Sequence, residues 1–241
     1  MCVAAIAWDV HPDWLFVAAA NRDEYHERPT AALTRWDNGI LAGKDLRAGG
    51  AWLGIAETGR FALVTNFRVP GYPKPELASR GALVTDWLED ASVADGSTMN
   101  PFNLLLADAA QARILSNYPA PEEHVLAPGV HGLSNGAFAR PWPKARRLCE
   151  DLGGWLAHDA QDFASLFTAL RNEAPFPEAD REGDGPEPAF SGVFIRDKTY
   201  GTRCSTVVAV SRLGAGTIIE RRFAPDGEQT EETALSFAWP I

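Results

Sequence analysis

Two apolar runs open the chain. Val3 to Trp8 holds no polar residue, and after the turn signal His11-Pro12-Asp13 the stretch Trp14 to Ala20 is equally free of them. Runs of this length without polar alternation read as strands buried on both faces. The short link between them predicts a hairpin. Trp52 to Ala56 and Arg60 to Phe67 follow as a second hairpin, joined across Glu57-Thr58-Gly59. From Ser79 onward the pattern changes: Leu83, Val84, Trp87 and Leu88 recur at helical spacing. Phe102 to Ala107 and Arg113 to Ser116 return to strand, and Val130 to Gly136 reads as a strand ending in a turn. Pro143 to Trp155 and Asp159 to Leu170 read as two helices, interrupted at Gly153-Gly154 and around His158. After the acidic stretch Glu173 to Pro188, read as a loop or lid, strands are expected at 192–195, 201–210, 217–222 and 233–237. Strands at both ends with helices between them predict an α+β fold, two antiparallel sheets packed together with helices outside. The 241 residues suffice for one large domain, 1–241.

Composition narrows the function classes. A formal net charge of −10 with no basic stripe argues against nucleic acid as a partner. The three cysteines, Cys2, Cys149 and Cys204, are odd in number and far apart, unlike a disulfide framework or a metal site, which fits a reducing compartment. The N-terminus lacks a basic leader and no apolar run reaches the length of a membrane span, so a cytoplasmic protein is expected. Eight tryptophans suggest a well-filled interior or an aromatic pocket. The glycines of Ala48 to Gly54 match neither GxxxxGK[ST] nor a strand, GxGxxG and helix succession. They read as tight turns and close backbone approach, with the lining of a ligand as the alternative, and no cofactor is implied.

The candidate chemistry begins at Cys2. Chain ends are usually solvated, yet this one runs straight into an apolar strand. Trimming of Met1 would leave Cys2 with a thiol and a free α-amine, and such an amine titrates near about 7.7–8.0, so one residue would supply nucleophile and base. The alternative is a small buried hydrophobe. In a tight hairpin turning near His11 to Asp13, paired positions sum to about 23 to 25, which puts Asn21, Arg22 or Asp23 opposite Cys2. The polar cluster Asn21-Arg22-Asp23-Glu24 is then either the surroundings of the thiol or a solvated exit loop. Asn66, at the end of a buried strand, reads as an oxyanion donor or a turn cap; Asn135 is ambiguous in the same way. Arg203 precedes an apolar run and calls for a carboxylate or a ligand. Cys204 beside it is a rival nucleophile, ranked below Cys2 because alternation sends neighbouring side chains to opposite faces. Lys144, Arg146 and Arg147 read as a solvated helix face.

Cys2, Asn21-Arg22-Asp23-Glu24, Gly43-Lys44-Asp45, Gly49 to Gly54, Thr65-Asn66-Phe67-Arg68, Ser79-Arg80-Gly81, Leu133-Ser134-Asn135 and Gly201-Thr202-Arg203 form an ordered set. Taken together they resemble the NRDE family, also called the transport and Golgi organisation protein 2 family, from residue 1 to about residue 210. That family is similar in turn to the N-terminal nucleophile hydrolases, in particular the choloylglycine hydrolase and penicillin acylase group. The resemblance implies a four-layer αββα sandwich, with Cys2 as nucleophile and its α-amine as base. It further implies that Arg22 and Asp23 orient them, that Asn66 and Asn135 hold the oxyanion and the nucleophile's surroundings, and that Arg203 completes the charge network. Two departures stand out: Arg22 and Asp23 are adjacent where the bile-salt hydrolase pattern separates them by two residues, and Cys204 replaces a usual serine. The implied activity is cleavage of a non-peptide amide or related acyl bond of a small molecule. The alternative is a binding or trafficking protein for haem or acyl-lipid species that uses the same pocket.

Overall fold

The computed structural model describes all residues except 94, 159 and 177–187, with the backbone alone at 188. The acidic loop or lid therefore lies largely outside the described residues. Among these residues the strands form two antiparallel sheets. The first holds β1 (Val3–Trp8), β2 (Trp14–Tyr25), β10 (Gly129–Leu133), β11 (Tyr200–Ser211), β12 (Ala215–Phe223) and β13 (Gln229–Ala238), in the order β10-β1-β2-β11-β12-β13. The second is a plain meander of β3 (Thr30–Arg35), β4 (Ile40–Asp45), β5 (Leu53–Ala56), β6 (Arg60–Asn66), β7 (Phe102–Ala107), β8 (Ala112–Ser116) and β9 (Glu122–Val125).

Three apolar layers show how these sheets stack. Ile6, Phe16, Ala18 and Val208 of the first sheet meet Leu41, Ile55, Phe61 and Leu105 of the second, with the Phe16 and Phe61 rings 4.7 Å apart. On its other face the first sheet presents Val3, Ala5, Val17 and Val207 to α2 (Pro143–His158) and α3 (Ala164–Leu170). The second sheet turns Ile40, Ala62 and Leu104 toward α1 (Gly81–Asp90), which answers with Leu83, Val84, Trp87 and Leu88. The result is the αββα sandwich. No helix among the described residues is long and apolar enough to cross a membrane.

The hairpin register falls in the middle of the expected range, with Val3 opposite Asn21. Side chains facing the second sheet then align in rows across β1, β2, β11 and β12: Ile6, Ala18, Val208 and Ile218, then Ala4, Ala20, Thr206 and Glu220. One step further along, Arg22, Cys204 and Arg222 share a row that Cys2 extends. The space between the sheets thus changes from dry to charged within two rows.

Four sequence expectations need correction. β2 does not end at Ala20 but carries the polar cluster to Tyr25, because β11 keeps pairing with it past a bulge at Arg203. β3, β4 and β9 were not anticipated. Residues 192–195 form no strand, although Val193, Phe194 and Ile195 are buried. Helix α2 runs unbroken through Gly153-Gly154 to His158.

The glycine-rich stretch contains one close approach that matters for the site. A Cβ on Gly50 would stand 2.5–2.9 Å from backbone atoms of Gly81, at the start of α1, whereas one on Gly153 inside α2 would meet nothing within 4 Å. Gly50→Ala is expected to cost about 1–3 kcal/mol by overpacking, and Gly153→Ala to add about 0.5–1 kcal/mol by helix propensity. Urea denaturation of the two variants checks the opposite signs; a neutral Gly50→Ala would refute the contact.

Candidate active site

The strand that carries Asn21-Arg22-Asp23-Glu24 sorts these side chains by alternation. Asn21 and Asp23 turn toward the helices. The Asn21 amide donates to the carbonyls of Leu170 and Val193, and its oxygen accepts from Ser205. Asp23 accepts from the Thr202 hydroxyl at 2.7 Å and lies 3.5 Å from the Lys144 ammonium of α2. Arg22 and Glu24 turn the other way, toward the second sheet, where Arg22 stands 3.7 Å from both Glu24 and Asp45. The adjacency of Arg22 and Asp23 is thereby resolved: they serve opposite faces of the sheet.

Cys2 shares the Arg22 side, and Met1 the Asp23 side. The Met1 amine donates to the Asp23 carbonyl at 3.3 Å, and Lys144 donates to the Met1 carbonyl at 3.4 Å. Burial lowers the affinity of the Met1 amine for its proton, with Asp23 pulling it back up. Burial likewise lifts the Cys2 thiol above its ordinary value, against the pull of the amine beside it. Burial also pushes Asp23 up and Lys144 down, each restrained by the other. Such a thiol is a poor nucleophile by itself and depends on a base in reach.

Cys2 opens into a cavity of about 530 Å³ at the charged end of the space between the sheets. Arg22, Asp23, Asn66 and Arg203 also line it, as do Cys204 and Glu220. Trp52 contributes an aromatic wall, although most tryptophans, such as Trp8, Trp142 and Trp155, are buried in the interior. Asn66 is exposed at the end of β6, so its amide is free to meet a ligand. Asn135 is not among the lining residues: its amide donates to the Asn66 carbonyl at 2.7 Å, and its own carbonyl accepts from the Arg68 N–H. Arg203, the bulged residue of β11, donates to the carbonyls of Tyr25, His26 and Arg28 and so ties down the exit of β2. Cys204 is 6 % exposed, and burial, then the neighbouring Glu220, holds its thiol well above the ordinary value.

Two further residues belong to this site. Lys144, read from sequence as part of a solvated face, is 1 % exposed, while Arg146 and Arg147 are exposed. The signal lay in helical spacing, since 144, 148 and 152 fall on one face and Leu148 and Leu152 are buried. Arg80, just ahead of α1, donates to the Pro101 carbonyl and lines the cavity. Desolvation lowers its proton affinity, and Cys2, then Glu24, raises it again. Among the described residues, no group of three or more His, Cys, Asp or Glu could hold a metal ion.

Comparison with known proteins bears on both chain and fold. A family model described as Transport and Golgi organisation 2 matches residues 1–225. The transport and Golgi organization protein 2 homolog of Bos taurus is 33% identical over 277 residues, covering 98% of this chain and 99% of its own. The Homo sapiens homolog is 32% identical over 262 residues, with 92% of each chain covered. Two solved structures share the fold. A Caenorhabditis elegans N-acylethanolamine-hydrolyzing acid amidase ortholog superposes with TM-score 0.53 at 11% identity, over 86% of this chain and 92% of that one. A mutant of conjugated bile acid hydrolase from Clostridium perfringens gives 0.52 at 11%, over 97% and 92%.

The Lys144 and Asp23 pair yields a test with a defined sign. Lys144→Met leaves a buried carboxylate without its countercharge and is expected to cost about 3–5 kcal/mol near neutral pH. Burial already raises Asp23, and loss of the ammonium raises it further. A group raised in the folded state stabilises fully below its unfolded value and loses that contribution as pH rises through the folded one. The deficit of Lys144→Met relative to wild type should therefore shrink on acidification toward the ordinary carboxylate range, and Lys144→Met with Asp23→Asn should be less damaged at neutral pH than the single variant. Urea midpoints across pH decide it; a deficit that does not change with pH would rule the pairing out.

Proposed function

The chain belongs to the Transport and Golgi organisation 2 family, and from that premise we propose that it is an N-terminal cysteine hydrolase acting on a non-peptide amide or related acyl bond of a small molecule. The observation that carries the reading is the position of Cys2: a thiol that opens into the cavity while the terminal amine lies at the Asp23 carbonyl. The fold shared with an N-acylethanolamine-hydrolyzing amidase and a conjugated bile acid hydrolase supports it.

In this reading Met1 is trimmed, and the new α-amine of Cys2 emerges where Lys144 now holds the Met1 carbonyl. Burial disfavours protonation of an amine at this place and Lys144 adds to that, while the Asp23 carboxylate opposes both and fixes its position. The amine takes the thiol proton, and the sulfur attacks the acyl carbonyl. The Asn66 amide donates to the oxyanion of the tetrahedral adduct; Asn135, bonded to the Asn66 backbone, positions it. Collapse breaks the carbon–nitrogen bond, and the leaving amine receives the proton held by the α-ammonium. Water, deprotonated by the same α-amine, then hydrolyses the thioester and frees the acid and the thiol. Arg22 stays beside the sulfur, and Arg203 holds the end of β2 in place. A cytoplasmic, single-domain enzyme that needs no cofactor fits the reading.

A second reading rests on Met1 itself. Where Met1 is retained, the amine is one residue away from the thiol and the same cavity serves only to bind. Two measurements separate the readings: intact mass, for loss of Met1, and incubation with an activated acyl ester. Cys2→Ala is expected to abolish the acyl-enzyme adduct, Cys204→Ala to retain it, and Asn66→Ala to slow its formation about a hundredfold. Unchanged acylation of Cys2→Ala would sink the enzyme reading.

A further inference from the structure

Two residues at the start of β11 hold Asp23. The Tyr200 hydroxyl donates to its carbonyl at 2.9 Å, the same carbonyl that receives the terminal amine, and the Thr202 hydroxyl donates to its carboxylate at 2.7 Å. On a regular strand residues 202 and 204 would share a face. The bulge at Arg203 separates them, leaving Thr202 opposite Asp23 and Cys204 opposite Arg22. Thr202 is 2 % exposed, and its hydroxyl has a second contact. The Ile195 N–H donates to it at 2.9 Å, while the Thr202 N–H donates to the Ile195 carbonyl at 2.9 Å. Gly201 permits this approach, since a Cβ there would stand 2.8 Å from the Ile195 carbonyl oxygen. With a backbone donor on its oxygen, the hydroxyl turns its hydrogen to Asp23.

That direction matters for a carboxyl whose side chain is 0 % exposed. A neutral Asp23 needs an acceptor for its own hydrogen. Beside Oδ1 stands the Thr202 hydroxyl, which could accept only by turning its hydrogen away from the one acceptor it has among the described residues. Beside Oδ2 stands the Lys144 ammonium at 3.5 Å, a group that donates and never accepts. The charged groups facing Asp23 are Lys144 from α2 and the terminal amine, with the Cys2 thiol next to it; residues 192–195 bring none. Burial favours the neutral carboxyl, and the arrangement of donors opposes it. We infer that Thr202 is a positioning residue of the site, its hydroxyl oriented by Ile195 so that the buried Asp23 stays an anion beside the terminal amine. For catalysis the inference rests on the reading of the α-amine as the base of Cys2. When that amine takes the thiol proton it becomes an ammonium, which an ionised Asp23 stabilises and a neutral one does not. Thr202 and Asp23 exchange no proton in the step.

The test reads the carboxyl directly, by NMR titration of the full-length protein carrying isotope-labelled aspartate, with Asp23→Asn assigning the signal. Wild-type Asp23 is expected to be ionised at neutral pH. In Thr202→Val its midpoint should lie about one pH unit higher, and Thr202→Ser, which keeps both hydrogen bonds, should titrate as wild type. A wild-type carboxyl found protonated at neutral pH overturns the inference even if Thr202→Val fails to fold, and so does a midpoint that Thr202→Val leaves in place. Acylation of Cys2 by the activated ester is the second readout, expected to be about tenfold slower in Thr202→Val near neutral pH and restored in Thr202→Ser. A wild type that is never acylated, with its carboxyl titrating as expected, rejects the hydrolase reading and keeps the hold of Thr202 on Asp23. A raised midpoint with unchanged acylation overturns the part given to Thr202 in the reaction.

Discussion

A buried ammonium facing a buried carboxylate holds the first residues in place. Lys144 and Asp23 have side chains 1 % and 0 % exposed, and removing each ion from water costs several kcal/mol, offset only when partners are held in place. The rigid frame around them does that holding: Asp23 on a central strand, Lys144 on the helix packed over β1, and Thr202 bonded from β11. With the Met1 carbonyl drawn to the same ammonium, the first residues become part of the interior. The order of the N-terminus is therefore a consequence of electrostatics in the helix layer as much as of the apolar strand that follows.

Strand alternation then turns one tetrapeptide into two devices. Asn21 and Asp23 anchor the helices, and Arg22 and Glu24 furnish the cavity. Had β2 ended at Ala20, all four side chains could have pointed into solvent. Because β11 continues to pair with it, the polar residues are carried into the same sandwich as the apolar ones, and the bulge at Arg203 restores pairing where the ladder would otherwise slip. The cavity is the end of the inter-sheet core, where Cys2, Arg22, Cys204 and Arg222 replace the aliphatic rows.

Much of this was legible in the residues. The hairpin arithmetic placed Cys2 against the polar cluster, since tight turns leave the register little freedom, and the helical stripe of α1 could be read directly. β3 and β9 escaped because they are the two edges of the second sheet. β9, Glu122–Val125, is mostly exposed and polar, so no alternation marks it. Val193 to Ile195 failed in the opposite direction: the segment is apolar because it is buried, and burial without a neighbouring ladder mimics a strand. Lys144 was hidden by its neighbours, since Arg146 and Arg147 made its charge look like theirs while the period of the helix placed it with Leu148. The role of Asn135 behind Asn66 could not be read locally, because it depends on β6 and the turn after β10 meeting across the fold.

A protein that concentrates guanidinium groups in a cavity while remaining acidic overall stores repulsion at that point. The strain is tolerable because backbone carbonyls from Tyr25, His26, Arg28 and Pro101 orient Arg203 and Arg80. These dipoles fix the direction of the side chains without neutralising them. Arg22 and Arg28 differ, since the carboxylates of Glu24 and Asp45 stand beside them. Fixing cations with neutral acceptors leaves their field in the cavity and their donors already oriented. In the proposed reaction that field favours negative charge developing on a carbonyl oxygen beside Cys2.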